Sequence, residues 1–173
     1  WKEMILKMKR IDFENGTVTG NILGAALPML VAQAKAAEEH FFDRTIADRE
    51  NERILAQLRR EMTNLVLIGM PGSGKSTVGA ALAALTGREA IDIDARIAEK
   101  AGCSIPEIFA KRGEAAFRAL EREVTAACGA LSGKLLLTGG GVVKTPENYA
   151  ALHQNGRIYP VSYTHLRAHE TAA

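Results

Sequence analysis

The sequence contains the octapeptide Gly69-Met70-Pro71-Gly72-Ser73-Gly74-Lys75-Ser76, which fits the pattern G-x-x-x-x-G-K-[ST]. It follows the apolar run Leu65-Val66-Leu67-Ile68. The residues after it have a helical pattern, with Val78, Leu82 and Leu85 on one face. A strand, a glycine-rich loop and a helix in this order form the structural context in which the pattern binds phosphate. The octapeptide therefore predicts a phosphate-binding loop on an α/β fold.

The residue types of this loop suit an anion. Glycines let consecutive backbone N–H groups turn inward, and the following helix directs its positive end at the same place. Lys75 supplies a mobile positive charge for the outer phosphates, and the Ser76 hydroxyl is placed to ligate Mg²⁺. The predicted nucleotide-binding residues are Gly72, Ser73, Gly74, Lys75, Ser76 and Thr77. The alternatives are a turn that only joins a strand to a helix and a dinucleotide-binding turn. The second fits less well because Thr77 stands where a third glycine belongs.

Length and composition restrict the class of protein. A chain of 173 residues suits one ordinary domain plus an additional segment. A formal net charge of +2 gives no reason to expect a nucleic acid or an anionic membrane as partner. No signal peptide is visible in these residues, and no apolar run reaches the ~20 residues that span a bilayer. Cys103 and Cys128 fit neither a metal spacing nor a disulfide framework. These features predict a cytoplasmic protein.

Strand-like and helical patterns alternate from residue 64 onward. Strands are predicted at about 64–69, 89–93, 134–138 and 157–159. Helices are predicted at about 75–86, 95–101, 105–112, 114–128 and 146–153, with Gly113 separating two of them. This alternation predicts a parallel sheet covered by helices on both faces, with ligands at the carboxyl ends of the strands. Two further helices, at 27–42 and 46–62, are predicted before the sheet begins.

Asp92 and Asp94 end the second predicted strand. Because they are two residues apart, their carboxylates point the same way, toward the phosphate loop if strands one and two share a sheet. One carboxylate can assist Mg²⁺ through water, and the other can hold an acceptor hydroxyl or take its proton. The alternative is that Asp94 caps the N-terminus of the next helix.

Two later features suit a substrate. Arg118 offers a guanidinium fork for a carboxylate, although a surface ion pair with Glu114 and Glu121 would also explain it. Gly139, Gly140 and Gly141, called the glycine turn below, follow an apolar strand. Three glycines cost much conformational entropy in a plain turn, so we expect a ligand to lie flat against this backbone.

Four motifs together resemble the shikimate kinase family over about residues 64–159. They are Gly-Met-Pro-Gly-Ser-Gly-Lys-Ser-Thr, Asp-Ile-Asp, Gly-Glu-x-x-Phe-Arg-x-x-Glu and Gly-Gly-Gly-Val-Val, in this order. The resemblance implies a fold like that of P-loop nucleoside-monophosphate kinases. It also implies transfer of the γ-phosphoryl group of ATP to the 3-hydroxyl of shikimate, with Mg²⁺.

The same resemblance implies roles for individual residues. Lys75 and Ser76 serve the nucleotide and the metal, and Asp92 assists on the metal side. Asp94 binds the shikimate hydroxyls and acts as base, so Lys75 and Asp94 are the predicted catalytic residues. Arg118 and the glycine turn hold the substrate, with Arg118 on its carboxylate.

The flanks of this region give further expectations. Residues 27–34 resemble the C-terminal helix of shikimate dehydrogenase, in which the glutamine that matches Gln33 touches shikimate. We therefore expect a fused dehydrogenase–kinase chain: a remnant at 1–45, a helical linker at 46–62 and a kinase-like domain at 63–159. After Tyr159 the kinase family continues with a lid, further arginines and a last strand. We expect residues 160–173 to be a non-native tail and the catalytic activity to be impaired.

Two other functions stay open. One is a different small-molecule P-loop kinase, of gluconate or nucleotide type, against which the glycine turn and Phe117-Arg118 argue. The other is a nucleotide-binding fragment without activity, which the loss of the pattern at residue 160 favours.

Overall fold

The computed structural model describes residues 26–162, and the chain divides into two compact units, Trp1–Met62 and Thr63–Ala173. The first unit contains helices α1 (Leu27–Phe42) and α2 (Asp48–Met62). They confirm the two predicted helices, although α2 begins two residues later than predicted. Asp43, in a left-handed conformation with φ 47°, ends α1, and the Glu39 carboxylate accepts the Ile46 N–H at 2.8 Å. An ion pair between Lys35 and Asp48 links the two helices.

The second unit is built on a sheet whose four described strands are all parallel. They are β1 (Asn64–Ile68), β2 (Ala90–Asp92), β3 (Leu135–Leu137) and β4 (Gly156–Pro160), in the spatial order β2-β3-β1-β4. The predicted parallel sheet is confirmed, with β2 and β3 shorter than expected. Val66, Leu67, Leu135 and Leu136 are each at most 1% exposed. Because successive side chains on a strand point to opposite faces, both faces of the sheet are covered.

Four α-helices and one short 3₁₀ helix surround this sheet within the described residues. They are α3 (Lys75–Thr86), α4 (Ile93–Ala101), α5 (Ile105–Gly129), the 3₁₀ helix (Val142–Lys144) and α6 (Pro146–Gln154). In α3, Gly79 faces the sheet, and a Cβ at this position would lie 2.6 Å from Leu137 Cδ2. Leu85, which we expected on the inward face, is 82% exposed. The close approach at Gly79 sets which face of α3 is buried, and Leu85 lies off that face.

The start of α4 corrects one prediction. Asp92, not Asp94, is the N-cap, because its Oδ1 accepts the N–H groups of Asp94 at 2.9 Å and of Ala95 at 3.2 Å. The helix therefore begins at Ile93, two residues before the predicted start. Asp94 occupies the first turn, where its carboxylate is not used as a cap.

Helix α5 consists of two helical halves, as predicted. Ser104 and Glu107 form a capping box at its start, and Gly113, with φ 77° and ψ 173°, interrupts the helical conformation. The second half carries Phe117 and Val124 on its buried face, where each is 6% exposed. The interruption at Gly113 thus lets one continuous segment change direction before it reaches Arg118.

Strand β4 continues beyond its predicted end. Pro160 belongs to the strand, and the Val161 N–H donates to the Ile68 carbonyl at 2.7 Å. Pairing with β1 therefore includes two residues that we expected to lie outside the fold. The predictions for residues 1–23, and those for the tail beyond residue 162, lie outside the described residues. None of the helices within residues 26–162 combines the length and apolar character needed to cross a membrane.

Candidate active site

The strand order brings three loops to one edge of the sheet. The phosphate loop (residues 69–76) follows β1, Asp94 follows β2, and the glycine turn follows β3. Strands β1 and β2 share the sheet, as the prediction for the Asp92 and Asp94 carboxylates required, but β3 lies between them. The glycine turn therefore stands between the phosphate loop and Asp94.

The phosphate loop has the backbone geometry of an anion site. Gly72 and Gly74 have φ values of 77° and 87°, which side chains other than glycine rarely adopt. Gly74 is the N-cap of α3, where no side chain makes a capping hydrogen bond, and the first turn of α3 has no acidic residue. The N-terminal N–H groups of α3 are thus available to an anion, with exposed Ser76 and Thr77 beside them.

Lys75 is folded back over the start of its own loop. Its Nζ donates to the Gly69 carbonyl at 2.7 Å and to the Met70 carbonyl at 2.8 Å. These neutral acceptors hold the ammonium next to the loop. The same charge acts electrostatically on Asp94, whose pKa it lowers in part. Lys75 is therefore held at the phosphate loop, within electrostatic range of the Asp94 carboxylate.

The glycine turn makes a close contact with each of the other three parts of the site. A Cβ at Gly139 would lie 2.5 Å from Asp94 Oδ1, and one at Gly140 would lie 2.5 Å from Pro71 Cδ in the phosphate loop. A Cβ at Gly141 would lie 3.2 Å from Arg118 Nη1. From the sequence we expected a ligand to require these glycines. In the structure, Asp94 and Pro71 already occupy the space that side chains at positions 139 and 140 would need.

Burial is the main reason why the Asp94 carboxyl has a raised pKa. Repulsion from Asp92 and from Glu121 adds to the effect, and Lys75 opposes it. A carboxylate with a raised pKa is a better proton acceptor than an ordinary aspartate. The surroundings of Asp94 are therefore compatible with the role of base that the sequence resemblance implies.

Arg118 is held by two carboxylates. Its Nη1 donates to Glu121 Oε2 at 3.0 Å and its Nη2 to Glu114 Oε1 at 3.2 Å, while the guanidinium lies 5.3 Å from the centre of the Phe117 ring. The ion pairs that we considered as an alternative explanation are therefore present. Only one of them is a surface pair, because the Glu114 side chain is 69% exposed and that of Glu121 is 3% exposed.

From the sequence we expected Glu121 only as a possible surface partner of Arg118 and missed its burial at the site. Its carboxylate lies in the interior and accepts a hydrogen bond from Asn148 Nδ2 at 3.3 Å in addition to that from Arg118. One signal was available, because Glu121 has the helical spacing of the inward residues Phe117 and Val124. A charged residue on a buried face indicates a partner, and here the partners are Arg118 and Asn148.

The residues predicted for Mg²⁺ offer few ligands of their own. Within residues 26–162, no three side chains of His, Cys, Asp or Glu converge on one point. The Ser76 hydroxyl lies exposed at the start of α3, and Asp92 Oδ1 already accepts two N–H groups. Mg²⁺ normally keeps several waters and takes one or two protein oxygens plus phosphate oxygens. This donor set therefore fits a metal ion that arrives with a nucleotide.

A groove of about 540 Å³ lies elsewhere on the second unit. Residues of β2, α4 and α5 line it, including Ile91, Arg96 and Cys128. It contains none of the predicted site residues, so the candidate site is defined by its convergent groups and not by this groove.

Comparison with known proteins identifies relatives of the second unit. The family model for shikimate kinase matches residues 71–170. The shikimate kinase of Synechococcus sp. strain RCC307 is 50% identical over 101 residues, which are 58% of this chain and 52% of that protein. The shikimate kinase of Geobacter sulfurreducens is 47% identical over 95 residues, which are 55% of this chain and 52% of that protein. The chain thus spans about half the length of the curated relatives it matches.

Solved structures have the same fold. The shikimate kinase of Acinetobacter baumannii in complex with shikimate is 36% identical, with a TM-score of 0.58 over 68% of this chain and 66% of that one. The shikimate kinase of Aquifex aeolicus is also 36% identical, with a TM-score of 0.54 over 56% of this chain and 58% of that one. The family match covers more than half of the chain and contains every predicted site residue from Gly72 to Gly141. The chain therefore belongs to the shikimate kinase family.

Proposed function

We propose that this chain carries the nucleotide and substrate sites of a kinase that transfers the γ-phosphoryl group of ATP to the 3-hydroxyl of shikimate. The observation that carries the proposal is the glycine turn, which contacts the phosphate loop, Asp94 and Arg118 within three consecutive residues. A phosphate site, a half-buried carboxylate and a guanidinium fork that meet at one backbone segment suit a small acceptor that has both a hydroxyl and a carboxylate. The family membership of the chain supports this choice of acceptor.

On the nucleotide side, the N–H groups of the phosphate loop and the start of α3 hold the phosphates. Lys75 exchanges the carbonyls of Gly69 and Met70 for phosphate oxygens, which are stronger acceptors because they are charged. Ser76 and Asp92 would hold Mg²⁺, which would neutralise charge on the transferred group. Catalysis of phosphoryl transfer depends almost entirely on such positioning and charge stabilisation.

On the acceptor side, Asp94 accepts the hydrogen bond of the 3-hydroxyl and takes its proton during transfer. Its raised pKa makes it a stronger base than an ordinary aspartate. The substrate carboxylate takes the place of exposed Glu114 on Arg118, while buried Glu121 keeps the other edge of the guanidinium in place. A bidentate pair of this kind fixes the orientation of the substrate as well as its affinity.

The organisation of the chain is part of this proposal. Residues 1–45 derive from the C-terminus of a shikimate dehydrogenase, 46–62 form a linker and the kinase-like domain begins at 63. The sequence placed the end of this domain at 159 and a non-native tail at 160–173, but Pro160 and Val161 pair with β1, so the tail of this proposal begins after them. The resemblance to the kinase family weakens before its lid, which excludes water and completes the charge clamp in such enzymes. We therefore expect these 173 residues to bind ATP weakly and to phosphorylate shikimate slowly.

The test is shikimate-dependent formation of ADP by the purified chain with ATP and Mg²⁺. Lys75→Ala is the blank, because it removes the ammonium that would bind the phosphates and should leave the fold intact, since the side chain lies on a loop edge. We expect a low rate above the blank and titratable binding of shikimate. Faster ADP formation with gluconate or a nucleoside monophosphate would contradict the choice of acceptor. Binding of ATP with neither binding nor phosphorylation of shikimate would favour a nucleotide-binding fragment, which the half-length match also suits.

A further inference from the structure

We propose that Asn148 is a positioning residue, which holds Arg118 in place through Glu121. Asn148 lies on α6 and is 1% exposed. Its Nδ2 donates to Glu121 Oε2 at 3.3 Å, and Arg118 Nη1 donates to the same oxygen at 3.0 Å. One buried carboxylate oxygen thus connects a helix outside the predicted site to the guanidinium inside it.

The burial of Glu121 explains why a second donor is needed. Glu121 is 2% exposed, and a carboxylate out of water is costly unless charges and hydrogen bonds compensate it. Arg118 provides the opposite charge, but its side chain is 27% exposed and also pairs with exposed Glu114. Asn148 is a neutral donor with no such competing role. It keeps Glu121 hydrogen-bonded while Arg118 exchanges Glu114 for a ligand.

The position of Asn148 along the chain supports the same inference. Helix α6 begins at Pro146, shortly after the glycine turn, and Gly141 lies against the Arg118 guanidinium. The same short segment thus contacts Arg118 directly at Gly141 and indirectly at Asn148. Helices α5 and α6 also approach closely further along, where a Cβ at Gly129 would lie 2.4 Å from the Ala151 carbonyl oxygen. The hydrogen bond of Asn148 is therefore made between two helices with little freedom to move apart.

The effect on the substrate rests on the proposed function, whereas the effect on Arg118 does not. If Asn148 is lost, Arg118 is the donor to Glu121 that remains within residues 26–162, and Arg118 must also serve the ligand. The guanidinium then takes several orientations, and a carboxylate ligand must select one of them. We expect weaker binding of shikimate and no change in the binding of ATP, whose phosphate loop is not part of this hydrogen-bond series.

The variant Asn148→Leu removes the donor and adds volume, and Asn155→Leu is its matched control because it makes the same change at another buried asparagine. Asn155 is 4% exposed at the other end of α6, where its Nδ2 donates to the Leu131 carbonyl at 2.9 Å and to Ser132 Oγ at 3.1 Å. Titration calorimetry of the full chain with shikimate and with ATP gives the two affinities. We expect Asn148→Leu to lower the affinity for shikimate about tenfold and to leave the affinity for ATP unchanged. Asn155→Leu should lower the stability and leave both affinities unchanged.

A second readout does not depend on shikimate. In the chain labelled with ¹⁵N-arginine, the Nε–H signal of Arg118 is assigned by its absence in Arg118→Lys. We expect Asn148→Leu to shift or broaden this signal and Asn155→Leu to leave it unchanged. If Asn148→Leu does not fold, Asn148→Ser, whose side chain is too short to reach Glu121, takes its place.

The two readouts separate the two proposals. An Arg118 signal that is unchanged in the Asn148 variant overturns the positioning role, whatever the affinities are. Equal weakening of shikimate and ATP also overturns it, because that result indicates a general loss of structure. If the signal shifts but the unmodified chain does not bind shikimate, the positioning role stands, and the proposed function gives way to that of a nucleotide-binding fragment.

Discussion

Asp94 and Gly139 are packed so closely that a Cβ at position 139 would lie 2.5 Å from Asp94 Oδ1. The two residues follow adjacent strands, and Asp92 and Leu137 are paired in the register of β2 and β3. The backbone of the glycine turn is therefore one wall of the space around the Asp94 carboxylate. Any atom added to this wall must displace the carboxylate.

Substitutions in the glycine turn should separate the two ligands. Neither Gly139 nor Gly140 has a positive φ, so alanine acts at both positions through its added volume alone. Gly139→Ala should displace Asp94 and lower the affinity for shikimate about tenfold, which is roughly 1.4 kcal/mol of binding free energy. Gly140→Ala should clash with the rigid Pro71 ring in the phosphate loop and lower the affinity for ATP instead. Titration of each variant with both ligands checks this prediction. A variant that lowers the affinities for shikimate and ATP equally would contradict it.

Asp94→Asn should stabilise the fold at neutral pH. Burial raises the pKa of Asp94 above its ordinary value of 3.8, so the folded chain holds this proton more tightly than the unfolded chain. Ionisation of Asp94 therefore lowers stability as the pH rises from the ordinary value through the folded one. The variant removes this cost, and its higher Tm at pH 7 should approach that of the unmodified chain as the pH falls below 3.8.

Thermal melts between acid and neutral pH measure this difference. Asp92→Ala is the neighbouring control, because it removes the N-cap of α4 and should cost about 1 kcal/mol, offset in part by less repulsion of Asp94. A Tm difference for Asp94→Asn that is the same at every pH would show that ionisation of Asp94 is not its cause.

Arg118→Ala should lower both stability and shikimate binding, for different reasons. It leaves buried Glu121 without its cation, which should cost about 2 kcal/mol because Asn148 remains as a donor. Adding Glu121→Gln removes the uncompensated charge and should restore most of the stability, but not the binding of shikimate. Urea unfolding and ligand titration of the single and double variants check this. A loss of ATP binding equal to that of shikimate would mean that Arg118 is a structural residue.

Gly129→Ala should destabilise the chain, although glycine to alanine in a helix normally stabilises it. The ordinary gain is about 0.5–1 kcal/mol. Here the added Cβ would lie 2.4 Å from the Ala151 carbonyl oxygen, so α5 and α6 must separate at a cost of about 1–3 kcal/mol. Ala126→Gly, on the exposed face of the same helix, is the control and should show only the ordinary helix preference. Urea unfolding measures both, and a more stable Gly129→Ala would contradict the close packing.

Local patterns in the sequence were enough to predict the kind of fold. The phosphate loop, the alternation of strands with helices and the break at Gly113 depend on residues close together in the chain. The period of apolar residues and the conformational freedom of glycine indicate such features directly. The same reasoning predicted that ligand-binding residues would gather at one edge of a parallel sheet, and the structure places the phosphate loop, Asp94 and the glycine turn there.

Tertiary contacts determined the rest. The order β2-β3-β1-β4 inserts the glycine turn between Asp94 and Pro71, and no local pattern contains that order. Leu85 is exposed because Gly79 sets the face of α3 that meets the sheet, and Glu121 is buried because α6 packs against α5. A charged side chain has the same local sequence whether it lies at the surface or in the interior. Its burial depends on segments far away in the chain, and such contacts exist only once the sheet and its helices have packed together.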